Sequence, residues 1–278
     1  MDFDLRTSEG AYNFILDFMS WSSEKFEYVW NFECGKDFEK FWKNNYDRIL
    51  SVNISDLRVL AYHIIGALDD CKEIRTNGLV NLQKAISGKT LLNKLLDQKG
   101  IKIDINSANI IVNEETYNIN YDFYFNKDHF ITDRERVLSI ISNRLYHDYC
   151  INGFMYCDDV FNYGSEIHKR PEILMRLAEL FPEAKELEDY WKKNSKSYRI
   201  DFYAKLNQIH PITFALDELK DPPYADWDKL DDEMKTKKWI LSHAINRVIN
   251  GVKSDMTILF IKNNVTIPPD QILGITEL

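Results

Sequence analysis

The run LRVLAYHII, residues 57–65, narrows the fold more than any other stretch of the chain. It is apolar, short and rich in branched side chains, so it reads as a strand. It falls well short of the roughly 18 apolar residues that a membrane span requires. The segment that follows, DDCKEIRTNGL, opens acidic, continues with helix-forming residues and stops at Asn77-Gly78, the pattern of a helix closed by a glycine. Strand, helix and Gly-Leu therefore follow in order. Near the end of the strand stands His63. A histidine there either fills a core with its ring nitrogens satisfied or holds a ligand, and the pattern alone leaves both open.

Charge and cysteine usage remove several classes of function. The 44 acidic and 35 basic residues give a formal charge of −9, which opposes non-specific adhesion to nucleic acid or anionic membrane, although a local basic patch stays open. Four cysteines, Cys34, Cys71, Cys150 and Cys157, include no CxxC pair, and no targeting segment precedes them. They read as reduced thiols, and the expected location is the cytoplasm, with no membrane partner. Only ten Gly and seven Pro in 278 residues argue against long disordered linkers.

Periodicity organises the rest of the chain. Residues 8–50 place aromatic and aliphatic residues at helical spacing, which predicts an aromatic-rich helical segment over 1–55 whose Trp21, Trp30 and Trp42 either pack on the body of the chain or meet a protein partner. Residues 89–98 predict a helix ended by Gly100. IKIDI, NIIVN and YNINYDFYFN predict strands, so that 89–150 reads as an insertion within a domain spanning 56–278. Helices are expected in DRERVLSIISNRLYHDYC, RPEILMRLAELFPEAKELEDYWKKN and EMKTKKWILSHAINRVIN. Strands are expected at YRIDFYAKL, TILFI and ILGITEL, the last two separated by an Asn-Asn turn and a Pro-Pro.

Familiar catalytic signatures are missing: there is no GxGxxG, Walker A, HExxH or GxSxG sequence. His147, Cys150 and Cys157 lack a fourth ligand at standard spacing, so no metal site is expected. The acidic pairs Asp69-Asp70, Asp158-Asp159 and Asp231-Asp232 read as helix caps or solvated charges. HKRPE, residues 168–172, reads as a helix opened by proline with its charges in solvent, or alternatively as a phosphate contact.

The stretch from His63 through Ile74 to Gly78-Leu79 resembles the first motif of the ADP-ribosyltransferase superfamily, in particular its diphtheria-toxin and poly(ADP-ribose) polymerase branch. In that family a strand ends in a histidine that binds an NAD ribose, and the adjoining backbone, here at Ile64, grips the nicotinamide amide. NGFMYCDDVFNY is similar to the second motif, with Gly153, Tyr156 and Tyr163 in loosely matching places and the two tyrosines implied to sandwich the nicotinamide ring. The end of the chain resembles the family's final strands, with Asp255 where active members carry a catalytic glutamate. The resemblance implies an α+β fold with an ADP-ribosyltransferase-like split sheet, an N-terminal helical segment and inserted helices and strands. It implies NAD as substrate, a protein or nucleic-acid acceptor, and a role as a toxin or defence effector. It also allows a non-catalytic nucleotide-binding or protein-interaction module on the same fold.

Overall fold

A computed structural model describes residues 1–126, 132–216, 224, 226–249 and 256–278. In chain order the strands are β1 (Asp2–Phe3), β2 (Arg58–Ala67), β3 (Ile101–Asp104), β4 (Asn109–Val112), β5 (Glu115–Asn118), β6 (Asn152–Cys157), β7 (Lys196–Lys205), β8 (Met256–Phe260) and β9 (Ile272–Glu277). The helices are α1 (Ser8–Met19), α2 (Ser23–Tyr28), α3 (Phe38–Asn44), α4 (Tyr46–Ser51), α5 (Lys72–Asn77), α6 (Leu82–Ser87), α7 (Leu91–Gln98), α8 (Tyr121–Phe125), α9 (Asp133–Tyr146), α10 (Glu172–Ala178), α11 (Pro182–Asn194) and α12 (Asp232–Ile249). The main sheet, mostly antiparallel, runs β8-β6-β2-β7-β9, with β1 added in parallel to β2 through Asp2↔Arg58 and Phe3↔Val59. A separate antiparallel meander runs β3-β4-β5. The fold is mixed α and β, of the α+β kind.

The apolar run read as a strand is β2, central in its sheet, with Leu57, Val59, Ala61 and Ile64 all buried. By contact the chain divides into two compact units. The first comprises Met1–Ala61, Gly153–Asp158 and Tyr203–Phe260, and the second Tyr62–Asn152, Asp159–Phe202 and Ile261–Leu278.

The first unit is built on aromatic packing. Thr7 caps α1 by accepting from the Gly10 amide at 2.9 Å, and α1 then lays Phe14 and Phe18 into the core. Phe3 meets the Phe14 ring edge-on at 5.0 Å and the Trp239 ring at 6.1 Å, joining β1, α1 and α12. Trp30 and Trp42 are buried and pack in the same unit, while Trp21 sits edge-on to Phe41 at 5.9 Å. The N-terminal aromatic residues that face solvent are others, chiefly Tyr28 and Phe32. Two consecutive lysines of α12 are buried and paired: Lys237 donates to the Leu50 carbonyl at 3.1 Å and meets Glu233 at 2.7 Å, and Lys238 meets Glu39 at 3.0 Å.

The second unit has an aliphatic core, with Ile110, Ile119, Ile141, Leu145, Leu174 and Leu177 fully buried among the meander, α9 and α10. The strands expected at IKIDI and NIIVN are β3 and β4, and they form a meander with β5, whose second turn places Asn113 and Glu114 both at positive φ, as a two-residue hairpin of the favoured hand requires. One expectation fails here: YDFYF is helix α8, not strand. Asn120 caps it by accepting from the Phe123 amide at 3.1 Å, and Tyr121 stacks on Phe125 at 5.4 Å, four residues on. Alternating aromatics mimicked a strand, but the local capping wins.

His243 of α12 lies 3.7 Å from the Trp239 ring, with Nδ1 against the Trp239 carbonyl, and burial pushes its pKa down to about 4. Its unfolded value is near 6.5, so the native state keeps the ring neutral while the unfolded state takes up a proton between those values. The stabilising effect of the neutral ring is therefore intact above pH 6.5 and is lost as pH falls toward 4, by up to about 3 kcal/mol. Urea unfolding at pH 7 and pH 4.5 should show this loss, and His243→Phe should flatten that part of the profile.

Candidate functional site

The second unit holds His63 in a defined chemical state. Its Nδ1 lies 2.7 Å from the Asn152 carbonyl oxygen at the start of β6. A carbonyl only accepts, so Nδ1 carries the proton and Nε2 presents a lone pair. Burial pushes the imidazole below its ordinary pKa, and the bond to Asn152 only partly offsets this, so the ring is neutral at pH 7. No described residue bonds Nε2, which is left as the acceptor nitrogen of a half-buried ring.

Three residues on, Gly66 is fixed from several sides. Its N–H donates to the Ile167 carbonyl at 3.0 Å, and its own carbonyl accepts from Trp191 Nε1 at 2.8 Å. A Cβ at Gly66 would stand 2.3 Å from the Lys169 carbonyl carbon, so only glycine admits the 165–170 backbone so close to β2. Further bonds tie the same segment down: Ser195 Oγ donates to the Lys169 carbonyl at 2.6 Å and Ser197 Oγ to the His168 carbonyl at 2.8 Å. Arg170, buried, pairs with buried Glu188 of α11 at 2.8 Å and also donates to the Ser165 carbonyl. Burial alone would raise the Glu188 carboxyl, but the bonds from Arg170 and Lys185, with Lys192 nearby, outweigh it and hold the group below its ordinary value.

The Gly-Leu element is equally constrained. Gly78 closes α5 at φ +74°, and a Cβ there would fall 1.9 Å from the Ile267 carbonyl oxygen. Leu79 and Ile267 then exchange backbone hydrogen bonds at 2.8 and 3.0 Å. The spacing from His63 to Gly78-Leu79 thus reflects one strand, one short helix and a docking point that requires glycine.

The other residues singled out from sequence fall as follows. Ile64 is buried in β2 beside His63. Tyr163 is half-buried in the irregular 159–170 segment of the second unit, where the family motif would have a helix. Tyr156 lies on β6 in the first unit, its hydroxyl donating to Asp158 and its ring 4.2 Å from the Arg247 guanidinium. Asp255 lies outside the described residues. Of the strands carrying the three resembling segments, β8, β6 and β2 are consecutive in the sheet order, whereas β9 lies at the other edge beside β7.

Several structural roles were not visible in the sequence. HKRPE does open a helix, since α10 begins just after Pro171, but its charges are not all solvated: Arg170 is buried on Glu188, eighteen residues away on another helix. The acidic pairs do cap and brace. Asp69 accepts from the Cys71 and Glu73 amides, Asp70 from the Tyr198 hydroxyl, Asp159 from the Phe161 and Asn162 amides, and Asp231 from the Met234 amide. The chain matches no protein-family model, no curated protein and no solved structure.

Removing one partner of the buried pair leaves a bare charge. Glu188→Ala should therefore cost about 3–5 kcal/mol in urea unfolding, and the double change Arg170→Met with Glu188→Leu should recover most of it. Gly66→Ala should displace the 165–170 segment, read as lost amide protection at position 66 and at Lys169, whose N–H groups donate to Ile167 and Glu166.

Proposed function

We propose that the protein binds NAD and cleaves its nicotinamide–ribose bond as an ADP-ribosyltransferase-like enzyme with an α+β split-sheet fold, acting as a toxin or defence effector on a macromolecular acceptor. The observation that carries this reading is the state of His63: neutral, with Nδ1–H committed to the Asn152 carbonyl, so that Nε2 keeps a lone pair suited to a ribose hydroxyl. The rigid Gly66 and Gly78 contacts support it too, since precise placement of His63 is what such chemistry needs.

The chemistry asks little acid or base help from the protein. Nicotinamide in NAD is already cationic, so the C1′–N bond breaks with its electron pair going to the departing neutral nicotinamide. The positive charge left at the anomeric carbon is met by a nucleophile of the acceptor or by water. In this reading His63 orients the ribose through its hydroxyl, the backbone at Ile64 holds the nicotinamide amide, Tyr156 and Tyr163 contact the ring, and Asp255 supplies the stabilising negative charge. A second reading, a nucleotide-binding module without turnover, is favoured by one observation: Asp255 is a methylene shorter than the family's glutamate.

Calorimetric titration with NAD, with nicotinamide release followed in the same sample, separates the readings. The enzyme predicts binding with release, and His63→Ala should lower turnover at least about a hundredfold with the fold intact by circular dichroism. Binding without release selects the module, and no binding by the folded wild-type chain refutes both. NAD affinity should be level from pH 8 to about 6.5 and fall only below that, as protonation of His63 at its lowered pKa removes the Nε2 lone pair.

A further inference from the structure

The second unit contains a cleft of about 660 Å³ on which the NAD reading makes no call. Its walls come from α6, α7, β3, the turn after β3, Tyr149 and the 263–264 turn. That volume is in the range of small-molecule sites. Residues with polar side chains outnumber apolar ones in its lining, and six of them are carboxamides of Asn or Gln.

The framework of the cleft is fixed by bonds that use up some of those amides. Buried Asn81 donates to the Asn263 carbonyl at 2.5 Å and accepts from the Lys84 amide at 2.8 Å, pinning the start of α6 to the 263–264 turn. Gln83 donates to the Leu145 carbonyl at 2.7 Å, and the Tyr149 carbonyl accepts from the Leu82 amide at 3.0 Å. Other lining groups are uncommitted: the side-chain amides of Asn106, Asn263 and Asn264 and the Tyr149 hydroxyl bond no described residue. A rigid frame thus presents amides that each offer a donor and an acceptor, beside one aromatic ring.

Charge selects among ligands. Two lysines, Lys84 and Lys102, are balanced by two carboxylates, Asp97 and Asp104, and Lys102 lies 3.8 Å from Asp97. A cleft with no net charge neither draws a phosphate nor holds a cation. We propose that it binds a neutral saccharide. Paired donors and acceptors on the carboxamides suit vicinal hydroxyls, which also donate and accept, and the Tyr149 ring offers a surface for the C–H face of a sugar ring.

The test uses the whole chain labelled with ¹⁵N and titrated to about 100 mM, the range for weak sites, with glucose, galactose, mannose, N-acetylglucosamine, maltose and lactose. At least one sugar should produce saturable amide shifts confined to residues 81–87, 104–106, 149 and 263–264. The exposed, unbonded amides make Asn106→Leu and Asn264→Leu mild for the fold, and each should weaken that binding about tenfold while the rest of the spectrum stays unchanged. The proposal is overturned if none of the sugars shifts these amides, if binding survives both substitutions together, or if glucose 6-phosphate binds there more tightly than glucose. NAD turnover is read separately, so loss of either reading leaves the other standing.

Discussion

Much of the second unit hangs on the approach of the 165–170 backbone to Gly66. That contact exists because residue 66 lacks a Cβ, and it is made durable by the Ile167 and Trp191 hydrogen bonds and by the buried Arg170–Glu188 pair. A buried pair of this kind adds little net stability over an apolar substitute, but it punishes any arrangement that leaves one partner alone. Its effect is specificity: the segment that follows β6 is held to one place on β2, three residues beyond His63.

That rigidity bears on the chemistry proposed for His63. An imidazole can act as donor or acceptor, and a site that depends on one role must settle the tautomer. Here the Asn152 carbonyl settles it, and burial keeps the second proton off. The result is a single acceptor held on a central strand, where neighbouring strands on both sides limit its drift. The sugar cleft of the same unit works by the opposite logic, with many neutral groups of mixed donor and acceptor character on a bonded frame.

The parts of the structure legible in the sequence are those written in local pattern. LRVLAYHII is β2, the helix before Gly78 is α5, and TILFI and ILGITEL are β8 and β9, because alternation, branched side chains and a terminal glycine act within a few residues. The run at Tyr121 misled because its aromatics suit either period, and the Asn120 cap decides the outcome. Of the site, His63 was legible as a polar residue in an apolar strand, but not as its end: β2 runs on to Ala67, which leaves His63 inside the strand. The tautomer of the ring was not legible, since Asn152 lies 89 residues away. Nor could the burial of Arg170 be read, which depends on a helix packed from elsewhere, or the engagement of Tyr156 by Arg247.

The central claim, that His63 offers an acceptor nitrogen to an NAD ribose, is tested most directly by long-range ¹H–¹⁵N correlation of the histidine rings, with and without NAD. The account predicts a protonated Nδ1, a pyridine-like Nε2 at pH 7.5, and an upfield movement of Nε2 alone as NAD saturates. A proton found on Nε2, or an Nε2 signal that stays still at saturating NAD, would contradict it.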